Sequence, residues 1–332
     1  MLVPKKQQMH PMSNYISSFY LSLLKGLDEF AKLAGDSSSA WLQSLPDTMK
    51  QGLGNVCGSN NPADFIPYLA KENLEIEFQK AEALAGLSSA NAAPIQALQS
   101  VFSLIGKESN PLLRKPLPFT DKDLLQALNS SENVQPKYSA SWKAFLAELP
   151  ACNSEADLDT LNQVLSLLRF YASFMPSSTP GVSLYESVRL RAAVFASQRV
   201  VGSEGLQLVC ADISGIQKFI YDISSRQASR GLRGRSFYLQ MLTKDIALKL
   251  MEVAGVCDAN MVYSSGGKFF LLTAKNQLSE EQLLAIQVDL DNFLWNKFKG
   301  TLSVHLASIE FRQGVNSAFS FGNSEGSVSD LW

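Results

Sequence analysis

Residues 206–238, LQLVCADISGIQKFIYDISSRQASRGLRGRSFY, followed at 262–270 by VYSSGGKFF, decide how the second half of this chain folds. Leu206, Leu208 and Cys210 alternate with Gln207, Val209 and Ala211, and the run reads as a mostly buried strand ending at Asp212. Ser214 stands where an N-cap would open a helix through Ile223. A second helix is predicted over 236–254, with Leu239, Leu242, Ile246, Leu250 and Val253 on one face and Gly255 as its stop. Residues 259–263 and 268–273 make a hairpin around Ser264-Ser265-Gly266-Gly267, where glycine supplies the positive φ that such turns need.

Ser279 with Gln282 forms a capping box that opens a helix carrying Leu283, Ile286, Leu290 and Phe293 and stopping at Gly300. Leu302, Val304 and Leu306 then alternate, and the phase slips to Ile309 and Phe311, which predicts a last strand with a bulge. Strand, helix in two pieces, hairpin, helix, strand is the ferredoxin-like βαββαβ order, here over 203–313. Upstream, 13–200 reads as helices with polar breaks. Ile16, Phe19, Leu23, Leu27, Phe30 and Ala34 recur at three and four, giving one apolar helix face that ends near Gly35. Further helices are predicted over 63–84, 94–105, 121–128, 141–149, 154–173 and 184–199, with proline-restricted loops at 111–118 and 175–181. The fold class is therefore α+β: a helical amino-terminal domain (13–200), then a ferredoxin-like domain (203–313). Residues 1–12 are expected to be a disordered leader and 314–332 a tail or linker.

A chain of 332 residues has room for two ordinary domains. Its net charge of −2 supplies no global field for nucleic acid, so any such binding must come from a local patch. Cys57, Cys152, Cys210 and Cys257 are far apart, which suggests neither a zinc site nor a disulfide framework and fits a reduced cytoplasm. No signal peptide or long apolar run is present, so no membrane partner is expected. The two histidines, His10 and His305, are too few for a multi-histidine metal phosphohydrolase, and serine or cysteine hydrolase triads fail for the same reason.

Asp212, at the end of the first strand, is placed to hold Mg²⁺, but a two-metal site needs more than one acid. Gly266-Gly267 is followed by Lys268 and Phe269, with no carboxylate, so phosphoryl transfer by this unit alone is not expected and no catalytic residue is assigned. The plainer role for Asp212 is to cap the following helix or turn. Arg226, Arg230, Arg233 and Arg235, spaced by Gly231 and Gly234, read as a flexible basic loop that either clamps phosphates of RNA or ATP, or pairs with a neighbouring subunit or simply solvates the surface. One of Phe269 and Phe270 must face the core, which makes base stacking there a minor reading.

ADISGIQKFIY at 211–221, ASRGLRGRSFYLQML at 228–242 and VYSSGGKFFLL at 262–272 resemble, in order and spacing, the first palm of the large subunit of type III CRISPR effector complexes, most closely the Csm-type one. The likeness is firm over 170–311 and weaker upstream, where Phe174 to Thr179 and Ser183-Leu184-Tyr185 resemble the loop and helix before that palm. It implies that 13–200 is a degenerate His-Asp nuclease domain. Leu23 to Phe30 takes the place of that family's Leu-Leu-His-Asp-Ile-Gly-Lys-Phe, so its metal-binding His and Asp would be Lys25 and Gly26; its Leu-Tyr-Asp-His reads Leu184-Tyr185-Glu186-Ser187. Nuclease activity is therefore not expected, and no metal ligand is assigned.

In the family a second palm, with a Gly-Gly-Asp-Asp motif that makes cyclic oligoadenylate from ATP, follows the first, and ATP sits between the two. The resemblance thus implies nucleotide contact by Asp212, Ser214, Gly215, Ile216, Gln217, Gly266 and Gly267, with ATP and Mg²⁺ bound only at an interface with a second palm. Expected partners are that palm on a second large-subunit polypeptide, other effector subunits, and guide and target RNA. The expectation is a noncatalytic half of a split or reduced large subunit. The alternatives are a cyclase half-site completed by a partner, or a stand-alone RNA-binding palm.

Overall fold

The structure, a computed structural model, describes residues 11–87, 133–154, 157–200, 205–222, 228–275 and 277–311, with isolated positions between 97 and 118. The chain divides into two compact units, Met1–Arg199 and Val200–Trp332. Most of the predicted helix at 94–105, all of that at 121–128, the tail and nearly all of the leader lie outside the described residues; Ala97, Leu98 and Ser100, which are described, are not helical.

The first unit is built on α1 (Pro11–Leu33). Where the sequence predicts one apolar face, α1 is buried around most of its circumference: Tyr15, Phe19, Tyr20, Leu24, Leu27 and Phe30 are sealed, and so are Ser17, Ser18 and Ser22. Small serines let neighbouring helices close on the sides that the apolar stripe leaves open. Around it lie α2 (Asp47–Cys57), α3 (Phe65–Leu69), α4 (Glu72–Leu84), α5 (Gln135–Glu148), α6 (Asp157–Ala172) and α7 (Leu184–Gln198). The predicted 63–84 helix is broken, because Lys71 is extended and Phe65, Leu69, Leu74 and Phe78 all turn inward. The most extensive packing is α1 on α7. Gly26 makes it possible: a Cβ there would fall 2.4 Å from a Val188 methyl.

The loop at 175–181 is closed rather than open. Pro176 bridges Ser183, the Leu184 amide donates to the Met175 carbonyl (2.8 Å), and the Ser177 hydroxyl donates to Val182 O (2.9 Å). A loop can be buried only when its polar backbone is satisfied in this way.

In the second unit β1 (Leu206–Ser214), α8 (Ile216–Tyr221), α9 (Ala228–Ala254), β2 (Met261–Ser265), β3 (Lys268–Ala274), α10 (Glu280–Phe298) and β4 (Ser303–Phe311) follow in order. The strands form one antiparallel sheet in the order β2-β3-β1-β4, which is the ferredoxin-like arrangement. The capping box at Ser279 and Gln282 forms as predicted. The bulge predicted in β4 does not, since the β1–β4 register runs unbroken from Leu206↔Phe311 to Ser214↔Ser303. Val304 and Ile309 lie on opposite faces instead, and the one irregularity among the described strands is between Met261 and Tyr263 on β2.

Two further expectations change. β1 continues past Asp212 to Ser214, so Ser214 is a paired strand residue and Gly215, at φ +85°, caps α8. The helix predicted from 236 begins at Ala228, so Arg230, Arg233 and Arg235 sit on helix rather than on a flexible loop. Gly231 and Gly234 each cost a helix about 1 kcal/mol, which the packing of the apolar face of α9 offsets.

Candidate functional site

The tight turn after β3's partner sets the geometry. Gly266 (φ +62°) and Gly267 (φ +87°) are both left-handed, the requirement of a two-residue type I′ hairpin turn. That turn fixes the register that puts Lys268 of β3 opposite Asp212 of β1, while His305 of β4 is opposite Asp212 on the other side. Directly opposed residues share a sheet face. Lys268 Nζ lies 3.6 Å from Asp212 Oδ2, both side chains about one-third exposed. Ser303 Oγ is 3.4 Å from His305 Nε2. Asp212 is thus flanked by Lys268 and His305 on the neighbouring strands, and among the described residues no helix or turn amide donates to it, which differs from the plainer sequence reading.

Cys210, two residues back on the same face, has its thiol pushed up to about 11 by burial and then by the Asp212 carboxylate, against the opposing pull of Lys268. Among the described residues no group of three or more His, Cys, Asp or Glu side chains could hold a metal ion.

The two glycine turns meet beside this row. The Ile213 amide donates to the Gly267 carbonyl (2.9 Å), and a Cβ on Gly267 would fall 2.3 Å from Ile216 Cδ1. A Cβ on Gly215 would fall 2.0 Å from the Thr301 carbonyl oxygen. Gly215 is therefore required by packing against backbone as well as by φ, whereas at Gly267 the positive φ is the firmer demand, since the tip of Ile216 can turn aside. Gly266 differs: nothing lies within 4 Å of its missing Cβ, so its backbone is open to approach. Gln217 is exposed and Ser214 half-buried. The structure thus brings Asp212, Ser214, Gly215, Ile216, Gly266 and Gly267 together. Phe269 faces the core, while Phe270 lies on the Asp212 face against Tyr263 (centroids 5.9 Å).

The arginines separate by role. Arg235 donates to the Phe219 carbonyl and lies 5.2 Å from that ring. Among the described residues Arg233 reaches Ser229, one turn back on its own helix, and Arg230 is exposed. Arg226 lies outside the described residues.

In the first unit, the positions matched to the family's His-Asp pair are committed elsewhere. Lys25 is ion-paired with Glu75 (3.0 Å) and sits 5.0 Å from the Phe78 ring, and Gly26 has no room for a side chain. Nearby, Arg191 is sealed inside the unit, with Nη1 2.7 Å from Glu29 and 3.0 Å from Glu82. Burial works against its charge, but the two carboxylates outweigh that and raise its pKa. Arg199 pairs with Glu77. Three glutamates of α4 thus pair with cations from α1, from α7 and from Arg199, the residue that caps α7. Sequence reasoning missed this network; the spacing of Glu75, Glu77 and Glu82 on one helix was its only trace.

Residues 206–327 match the family model described as Csm1 subunit domain B. The chain is 28% identical over 279 residues to the CRISPR system single-strand-specific deoxyribonuclease Cas10/Csm1 (subtype III-A) of Mycobacterium tuberculosis, a match covering 73% of this chain and 34% of that protein. The chain therefore spans about a third of the length of the curated relatives it matches. Among solved structures it resembles Csm1 from T. onnurineus (TM-score 0.63, 20% identity, 89% of this chain, 45% of that one) and a Csm1–Csm4 cassette in complex with cA4 (TM-score 0.58, 19% identity, 91% and 44%). Those likenesses establish a shared fold. No described helix is long and apolar enough to cross a membrane.

Proposed function

We propose, for a chain homologous to the Cas10/Csm1 large subunit of type III-A CRISPR systems, that it is a noncatalytic scaffolding half of such a subunit, comprising a degenerate His-Asp domain and a first palm. The observation that carries this is the Asp212–Lys268 pair: the acid placed where a palm would bind Mg²⁺ is matched by an ammonium 3.6 Å away, with histidine rather than a second carboxylate on its other flank. Lys25 and Gly26 support the same reading for the first unit. The partners are then a second palm, a Csm4-type subunit such as the one in the cassette structures, and through them guide and target RNA; the setting is the cytoplasm. Co-expression with the other effector subunits of its own system is expected to recover the chain in the assembled complex. With ATP and Mg²⁺ the purified chain is expected to form no oligoadenylate; product from the chain alone would falsify the noncatalytic assignment.

A second reading is favoured by the open backbone at Gly266 beside the Ser214-Gly215 turn. There the chain supplies one wall of an ATP site completed by a Gly-Gly-Asp-Asp palm, as a cyclic oligoadenylate synthase half-site. In a reconstituted pair, product lost on Ser214→Ala or Asp212→Ala favours the half-site, and unchanged product favours scaffolding.

A further inference from the structure

The side of α9 opposite its buried residues Leu239, Ile246 and Leu250 carries Phe237, Met241 and Leu248, a stripe that recurs after four and then seven residues. That interval is the one at which helices pair with other helices. Met241 is 44% exposed and Leu248 45% exposed. Beside this stripe α9 and α10 leave a groove of two lobes, about 510 and 360 Å³, and both lobes are lined by Leu242, Asp245 and Leu248 of α9 and by Phe293 of α10. The shared lining puts Leu248 and the half-exposed Phe293 on one surface.

The charged residues of that groove decide what covers it. Lys244 and Asp245 line one lobe, and Asp245, Lys249 and Glu252 line the other. Two cations and two carboxylates cancel, so a nucleic acid or any other ligand of a single charge is not matched. An apolar stripe with a neutral, patterned rim matches a helix that carries the same pattern in reverse. Asp245 and Lys249, four residues apart, lie on the same flank of the stripe. A second α9 laid parallel about a twofold axis would set Asp245 against Asp245 and Lys249 against Lys249. Laid antiparallel with the axis beside Leu248, it sets Leu248 against Leu248 and Asp245 against Lys249, and the twofold repeats that pair. Among the described residues Asp245 has no ion pair, and Lys249 has only an exposed one with Glu252 (3.1 Å), which is worth little and competes weakly.

We infer that the outer face of α9, with its groove against α10, is the contact face of a twofold dimer of this chain, the two α9 helices running antiparallel through Leu248 and joined by two Asp245–Lys249 pairs. Such a patch is at the small end for a specific interface, so the dimer dissociates on dilution. The inference does not rest on the proposed function: one is read on the purified chain and the other on the co-expressed complex, so either can fail alone.

The full chain is followed by sedimentation velocity from about 1 to 100 µM, a span that brackets a weak dimer. The mass is expected to rise from that of one chain to that of two. Leu248→Glu is expected to stay monomeric throughout with unchanged circular dichroism. Asp245→Lys and Lys249→Asp each set like charges against one another twice and are each expected to weaken the dimer at least tenfold. The doubly substituted chain D245K/K249D restores the pairs in reverse and is expected to dimerise again, and an equimolar mixture of the two single variants is expected to form a heterodimer. A monomer at every concentration, a dimer that survives Leu248→Glu, or no recovery in the charge-reversed chain would overturn the inference. So would a face that is covered only by a different effector subunit, seen as a monomeric chain whose Leu248→Glu variant is lost from the co-expressed complex.

Discussion

Single glycines of this chain differ in what they tolerate. At Gly266 an added Cβ meets open space and only the positive φ opposes it, so Gly266→Ala is expected to cost about 1–2 kcal/mol. Gly215→Ala incurs the same backbone penalty and drives Cβ into the Thr301 carbonyl, a backbone atom that cannot swing aside. Its melting temperature should fall by at least twice as much. Thermal denaturation of the two variants side by side checks the order. Arg191→Met removes the one cation that faces both Glu29 and Glu82 inside the first unit. Leaving carboxylates without a buried partner is expected to cost about 3 kcal/mol, read as a lower denaturant midpoint. Ser279 and Gln282 were legible in the sequence because a capping box is local, whereas Arg191 looked like any helical arginine until its two partners, from distant helices, came together.

At the scale of elements, α10 protects the sheet. β4 is an edge strand, and edge strands expose unpaired backbone groups that recruit other chains. Gln287 covers them: its Nε2 donates to Val304 O (2.7 Å) and its Oε1 accepts from Leu306 N (2.9 Å). Gln287→Ala should lose its exposed hydrogen bond to Asp291 and both hydrogen bonds to β4, the latter worth about 1–3 kcal/mol, and increase aggregation on heating, which light scattering during a thermal ramp would show. The expected helix at 236–254 was correct in its apolar face and too short at its start. Gly231 and Gly234 mimic loop punctuation, and only the contact of Arg235 with Phe219 on α8 shows why the helix begins earlier. The bulge predicted in β4 failed for a related reason. A phase slip in apolar residues signals a register change only when one face of a strand is covered, and Leu208 and Val209 are buried on opposite faces of β1.

Across the whole molecule, the half-buried Cys57 and the buried Cys210 set an alkaline limit. Burial pushes Cys57 and Cys210 to about 11, each from an ordinary value of 9.0. Below pH 9 both are neutral whether the chain is folded or unfolded. Between pH 9 and 11 only the unfolded chain loses those protons, so unfolding releases protons and stability falls as pH rises. The melting temperature should decline across that window, and less in Cys57→Ser. The sequence by itself determined the α+β class, the βαββαβ order and the missing carboxylate beside Gly266-Gly267, because periodicity, turn chemistry and residue inventory act over a few neighbouring positions. Only the tertiary structure decided that Asp212 is paired with Lys268, that the space beside Gly26 is filled by Val188, and that α4 pairs with Lys25 of α1 and with the buried Arg191 of α7. Each of those depends on which strands and helices lie side by side, and that is set by packing between residues far apart in the chain.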